Sequence, residues 1–359
     1  MLENLLRIYD KGKTFMSVDM TRYSRQILFS PIGTAGQEKL QKSRVAIVGL
    51  GALGTALANH MARAGVGYLR LIDRDFVEAS NLQRQMLYDE ADAEAQLPKA
   101  TAAADKLRAI NSSVTLDPHV TDLTWRNAEE LLTGVDLILD GTDNFDVRYL
   151  INDISVKHSV PWVYGGAVSA RGMTFTIRPG ITPCLRCLFP HPPAPGVSET
   201  CDTAGVIGPI VQVVAAYQAT EAFKLLVGAT DHLETRLRHF ELWMNHDTAM
   251  EVSGHRREDC PACVERRFEY LDPEDKQAKE VSLCGRETVQ ITPPDPDQID
   301  LDHLEKRLQT VAKVERNPFM LRVQLDAHRL VIFPDGRILV QGTSEIPLAK
   351  SIVARYIGV

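Results

Sequence analysis

An apolar run, Val45 to Val48, leads into Gly49-Leu50-Gly51-Ala52-Leu53-Gly54. Glycines at this spacing permit a tight turn, close backbone approach to a phosphate, and close packing of strand on helix. The helix that follows offers free N–H groups to an anion. Asp73 comes about twenty residues after Gly54, where an acid that binds a ribose belongs. The same loop could also serve packing alone. It points to a nucleotide without choosing between a redox dinucleotide and ATP.

The choice lies in the charges downstream. Asp73-Arg74-Asp75 runs on to Asn81-Leu82-Gln83-Arg84-Gln85. Arg84 carries a planar fork suited to phosphate oxygens. Pro98-Lys99 opens the next helix and brings an ammonium to the same rim. Asp140-Gly141-Thr142-Asp143-Asn144 ends a later strand, where carboxylates can share Mg²⁺ with phosphate oxygens. Cations, acids and a phosphate-binding helix end describe triphosphate chemistry. A nicotinamide oxidoreductase would have no use for Arg84, Lys99 or Asp143. Asn81 could instead cap a helix, and Asp75 and Asp140 read as supporting acids.

The chain has 6 cysteines. In a reducing compartment they act as ligands or nucleophiles more often than as disulfides. Cys184-x-x-Cys187 and Cys260-x-x-Cys263 form two knuckles. Four thiolates suit a closed, structural zinc site. The long interval between the knuckles also leaves room for two independent redox pairs. Cys201, in "SETCDTAGVIGP", precedes a buried helix. A thiol there can have a lowered pKa and act as a nucleophile, or it can have no chemical role. Cys284 stands alone and reads as a packing residue.

The elements that must position these residues alternate as strand and helix from Val45 to about Val163, which argues for a parallel sheet covered on both faces. The pattern then changes. "RGMTFTIRP" and "LRHFELWMNHDTAMEV" alternate as antiparallel strands do, and "PCLRCLFPHPPAPGVSETCDTAG" reads as a long irregular loop. "IGPIVQVVAAYQATEAFKLLVG" reads as a buried helix closed by Gly228. We expect an α/β fold: a Rossmann-like nucleotide-binding sheet, parallel in its first half and antiparallel in its second, plus a small C-terminal α+β module. The expected divisions are an N-terminal arm (1–21), a main domain holding the cysteine knuckles (22–270), and the module (280–359). The module should contain a helix around Leu304, a hairpin turning at Pro334-Asp335-Gly336, and a last helix.

The 359 residues are 44% hydrophobic and 24% charged, with a net charge of -7. That balance argues against nucleic acid as a partner, since nonspecific binding there needs a basic surface. No run reaches the roughly 18 apolar residues of a membrane span, and no signal-peptide core begins the chain. A cytoplasmic protein is expected.

Together "RYSRQILF", "GLGALGT", "LIDRDFVEASNLQRQ", "PK" and "DGTDN" resemble the ThiF/MoeB adenylyltransferases, relatives of the ubiquitin-activating enzymes. The resemblance runs from about Tyr23 to Glu265. It implies a homodimer that uses ATP and Mg²⁺ to adenylate the C-terminal glycine of a small ubiquitin-like sulfur carrier ending in Gly-Gly. A cysteine desulfurase is the implied sulfur source. By position, Asp73 matches the family's ribose acid, Asn81, Arg84 and Lys99 its phosphate-binding residues, and Asp143 its Mg²⁺-linked acid. Arg25 matches an arginine that reaches the partner subunit's ATP site, although a plain helix salt bridge is the alternative. The resemblance favours zinc for Cys184, Cys187, Cys260 and Cys263. Cys201 matches the cysteine that in the ThiF branch takes the acyl group or joins the carrier through an acyl persulfide. The C-terminal module and the Cys201 stretch incline the reading to the ThiF branch of thiamine thiazole synthesis. The molybdopterin-serving MoeB branch is the runner-up, and a catalytically inactive binding partner is a remote third.

Overall fold

The computed structural model describes residues 20–192, 201–272, 281–283, 287–291, 300–317 and 319–358. The arm, except for its last two residues, lies outside these, as do Cys284 and part of the expected boundary, 273–280.

The first sheet has eight strands: β1 (Arg44–Val48), β2 (Tyr68–Asp73), β3 (Thr115–Val120), β4 (Leu137–Asp140), β5 (Trp162–Val168), β6 (Arg171–Ile177), β7 (Leu237–Glu241) and β8 (His246–Met250). Their order is β3-β2-β1-β4-β5-β6-β7-β8. The pairings from β3 through β5 are parallel, and those from β5 through β8 are antiparallel. The change of pattern expected from Val163 is this change of strand direction, which falls a few residues later, after β5 ends at Val168.

Side chains alternate across a strand, and β1 shows what that does. Val45 and Ile47 enter one core, with Leu57, Met61, Leu69 and Val211. Ala46 and Val48 enter the other, with Ile138, Tyr149 and Trp162. The first core is covered by helices Ala52–Ala64, Lys99–Ile110 and Gly208–Val227, and the second by Ala128–Leu132 and Phe145–His158. Burial on both faces is why β1 and β4 read as short apolar runs.

Helix Gly208–Val227 is long and apolar enough by composition to cross a membrane. Here it is a core helix: Ile210, Val211, Val214 and Ala215 are fully buried. Its Gln218 donates to the carbonyls of Asp140 (2.8 Å) and Val163 (3.1 Å) at the ends of two strands. The cysteine-containing loop is less irregular than expected. Short helical turns, Leu185–Leu188 and Cys201–Ala204, flank residues 193–200, which lie outside the described part.

A second, antiparallel sheet follows. Its strands are β9 (Val281–Leu283), β10 (Thr288–Ile291), β11 (Lys313–Asn317), β12 (Met320–Gln324), β13 (Arg329–Ile332) and β14 (Ile338–Gln341), in the order β11-β12-β13-β14-β10-β9. Helices Leu301–Leu308 and Ile346–Tyr356 cover it over a core of Leu304, Leu321, Leu330, Ile338 and Val353. This is the small α+β arrangement expected from the sequence, with β13 and β14 as the expected hairpin.

Candidate nucleotide cleft and four-cysteine cluster

In an open α/β sheet, ligands bind beyond the carboxyl ends of the strands, where the strand order reverses. Here that point lies between β1 and β4. A cleft opens there. Gly49, Gly51, Asp73, Arg84, Lys99 and Asp143 all line it, contributed by five separate segments.

The glycine loop is held by contacts that a side chain would break. Gly49 has φ +81°, and a Cβ there would lie 2.8 Å from the Gly141 carbonyl oxygen. A Cβ on Gly54 would fall 1.8 Å from the Gly49 oxygen. Gly54 therefore does not line the cleft but lets the helix close on the strand. Gly141 completes the arrangement, with its own Cβ position 2.5 Å from the Gly49 oxygen. Sequence reasoning missed that role. The available signal was a glycine directly after a strand-ending acid.

Asp73 ends β2 and is 9% exposed. Its Oδ2 accepts from the Leu50 N–H and its Oδ1 from the Asp75 N–H, both at 2.6 Å. Burial pushes its carboxyl above the usual range, against the pull of the Lys99 ammonium. Lys99 itself is buried, and its Nζ donates to Asp75 Oδ2 at 3.1 Å. Asp75 thus supports the lysine, as its reading as a supporting acid implied. Tyr88 ties the assembly together, donating to the carbonyls of Leu50 (2.9 Å) and Lys99 (3.1 Å).

Asn81 does not line the cleft. It is buried and its Oδ1 accepts from the Glu78 N–H at 3.3 Å in a capping box. Its carbonyl accepts from the N–H groups of Arg84 and Gln85. It therefore shapes the turn that presents those two residues. Arg84 lines the cleft while its Nη1 donates to the Ser80 carbonyl at 2.9 Å. Gln85, not singled out from sequence, also lines the cleft, and its Oε1 is buried without a partner.

The two acids after β4 separate by environment. Asp140 is fully buried and pairs with Arg148 at 3.0 Å. It also accepts from the Thr142 N–H and hydroxyl. Arg148 donates further to the carbonyls of Thr142 (2.6 Å) and Gly165 (2.9 Å), which fixes the whole loop. Asp143 is exposed and lines the cleft. Of the two, only Asp143 is free for a metal ion held with phosphate oxygens.

Two residues remain. Arg25 lies in the helical turn Ser24–Ile27, exposed and outside the cleft lining. No described residue forms an ion pair with it, so the helix salt bridge is not seen. Cys201 is the first residue of the turn Cys201–Ala204.

The two cysteine knuckles meet. The Sγ atoms of Cys184, Cys187, Cys260 and Cys263 lie within 4.8 Å of one another. Adjacent pairs are 3.8 Å (Cys184–Cys187), 3.6 Å (Cys184–Cys260) and 3.5 Å (Cys187–Cys263) apart. Tetrahedral zinc, with Zn–S near 2.3 Å, sets its sulfurs about 3.8 Å apart. The cluster fits zinc, and its geometry counts against two independent redox pairs. Neighbouring contacts hold the first knuckle. Asn152 Oδ1 accepts from the Leu185 N–H at 2.8 Å, and Arg186 pairs with Glu269 at 2.9 Å.

A reversing parallel sheet with a glycine loop, a buried acid and cations at one crevice defines a nucleotide-binding α/β protein with an added four-thiol cluster. Comparison with known proteins narrows the class. The model of the ThiF family matches residues 23–262. The chain is 46% identical over 338 residues to the sulfur carrier protein ThiS adenylyltransferase of Bacillus subtilis, covering 94% of this chain and 99% of that one. It is 39% identical over 245 residues to the adenylyltransferase and sulfurtransferase MOCS3 of Culex quinquefasciatus, covering 68% of this chain but 55% of that one. Among solved structures, E. coli MccB with ATP shares the fold at TM-score 0.58 and 22% identity, over 67% of this chain and 74% of that one. This chain belongs to the ThiF family.

Proposed function

We propose that the protein is an adenylyltransferase that activates the C-terminal glycine of a ThiS-like, ubiquitin-like sulfur carrier with ATP, for sulfur transfer in thiamine thiazole synthesis. The observation that carries this reading is the convergence of Gly49, Asp73, Arg84, Lys99 and Asp143 on one cleft, in a chain matched along 94% of its length by a ThiS adenylyltransferase. The MoeB-like reading fits less well.

In this reading Asp73 accepts from the ribose hydroxyls and the loop Gly49–Gly54 meets the phosphates. The carrier's terminal carboxylate attacks the α-phosphorus. A carboxylate is already nucleophilic at neutral pH, so no general base is needed. The new bond is carboxyl oxygen to phosphorus, the bond to the β-phosphate oxygen breaks, and pyrophosphate leaves. Arg84 and Lys99 align the chain of phosphates and offset its charge, which is the main source of acceleration here. Asp143 would hold Mg²⁺, which when bound neutralises phosphate oxygens. Asn81 acts by shaping the turn that carries Arg84.

Arg25 is assigned to the cleft of a second copy in a homodimer. Its exposure, and that of Leu28 (72%) and Phe29 (61%) beside it, support this. Cys201 is assigned the attack on the acyl-adenylate carbonyl: a C–S bond forms, the C–O bond to AMP breaks, and AMP leaves. A desulfurase persulfide is the proposed sulfur source. The four knuckle cysteines would hold a structural zinc, since four thiolates leave no open position. A cytoplasmic location accords with this chemistry.

The test is ATP–pyrophosphate exchange with a thiazole-type and a molybdopterin-type carrier, for wild type and Asp143→Ala. Exchange with the first carrier, lost in the variant, is expected. Exchange with the second alone would transfer the protein to the other pathway. No exchange with either would overturn adenylation of such carriers.

A further inference from the structure

Two contacts of the C-terminal sheet bear on the cleft, one on its wall and one on the segment beside it. Gln290, buried on β10, donates through Nε2 to Asp122 Oδ2 at 3.2 Å. The same oxygen accepts from Arg74 Nη1 at 3.1 Å. Arg74 and Asp122 both line the cleft, and Arg74 directly follows Asp73. The second contact is apolar. Phe333 stacks on Phe76, with ring centroids 5.4 Å apart and planes inclined by 19°. Met320 and Val331 pack in the same cluster.

Both contacts bear on one short segment, the apolar one directly at Phe76 and the polar one on Arg74 through Asp122. Arg74 to Glu78 joins the end of β2 to the turn that presents Arg84 and Gln85. It includes Asp75, which holds Lys99, and Phe76 bridges to Pro98 just before that lysine. The position along the sheet is also informative. Strands lie about 4.8 Å apart. A nucleotide with phosphates beyond β1 and ribose beyond β2 extends its base towards the end of β3, where Asp122 stands.

We infer that the C-terminal sheet is a positioning element of the nucleotide site. Gln290 fixes the Arg74–Asp122 pair at the base end of the cleft, and Phe333 braces the segment that carries Arg74 and Asp75. The inference rests on reading the cleft as an ATP site. Gln290 touches no nucleotide in this arrangement. It acts by holding a charged pair in one geometry, and a hydrogen bond to a charged partner has a larger effect than a neutral one.

The experiment uses the full chain and two substitutions. Gln290→Met keeps size and burial but removes the donor. Gln290→Glu sets a like charge against Asp122. ATP dissociation constants are measured by titration calorimetry without carrier, and pyrophosphate exchange is then measured with carrier. We expect ATP binding to weaken about 5- to 20-fold in Gln290→Met, on the scale of one hydrogen bond to a charge, and more in Gln290→Glu. The KM for ATP should follow, while kcat at saturating ATP and the KM for carrier stay within about twofold, because the donor contacts neither reacting atom. Phe333→Leu, which keeps an apolar side chain, should weaken ATP binding in the same direction and guards against misfolding at Gln290. If all three variants bind ATP within about twofold of wild type, the inference is overturned. A raised carrier KM with unchanged ATP affinity also overturns it and makes the sheet a carrier-docking surface. A wild-type chain that binds no ATP overturns the parent reading instead.

Discussion

The cleft and the four-cysteine cluster are built from the same kind of material, short motifs carried to one place by strands and turns. They differ in how finished they are. In the cysteine cluster each thiol's partners are the other thiols, three of the four residues are buried, and four donors leave no position open. In the cleft the charges are only partly spent. Lys99 leans on Asp75 and Arg74 on Asp122, but Asp143 is exposed and Gln85 has an unpartnered oxygen. A site that is closed when folded serves stability. A site with unspent groups along a crevice serves exchange with a ligand.

Substitution at a thiol should have the largest effect. Cys184→Ser is expected to abolish metal binding and most of the folded protein, because a structural zinc contributes on the order of 10 kcal/mol to folding. Metal analysis and a melting curve would check this. A variant that kept its melting temperature would break the contrast drawn above. On the open side, Asp143→Ala should slow pyrophosphate exchange about 100- to 1000-fold while leaving the melting temperature within about 2 °C. A large drop in melting temperature would mean that Asp143 belongs to the scaffold.

A third prediction concerns pH and the side of the sheet nearer the thiols. Asp153 lies in helix Phe145–His158 and accepts from the Tyr270 N–H at 2.9 Å. Burial pushes its carboxyl up to about 7. The folded chain then holds a proton that the unfolded chain has already released above about pH 4. Stability should fall as pH rises from about 4 to about 7, by up to roughly 4 kcal/mol. Asp153→Asn keeps an acceptor for Tyr270 and should flatten that slope in denaturation curves taken across the range. A last test is Gly54→Ala. Its new Cβ must displace the Gly49 carbonyl, at a cost of about 1–3 kcal/mol typical of overpacking. Because the displaced atom belongs to the glycine loop, ATP affinity should fall together with stability. Unchanged affinity would show that the loop tolerates the shift.

Much of this was legible in the residues. Glycine spacing, the acid at the end of β2, and the strand-ending "DGTDN" identify the cleft before any coordinates, because each depends on backbone geometry that only a few residue types allow. What could not be read was which charges remain free. Asp140 and Asp143 look alike in sequence. Arg148, in the first turns of the helix that follows Asp143, claims the first and leaves the second. Asn81 and Arg84 share one motif, yet one shapes the turn and the other lines the cleft.

By itself the sequence determined the alternation of elements, the change from a parallel to an antiparallel pattern near Val163, and the thiol pairs as units, since periodicity and knuckle spacing are local properties. Tertiary structure alone decided that two knuckles separated by more than seventy residues meet in one cluster. It alone set Gly141 against Gly49, and Gln290 of the second sheet against Asp122 of the first. Those contacts join segments far apart in the chain, and only the packing of the sheets brings them within reach.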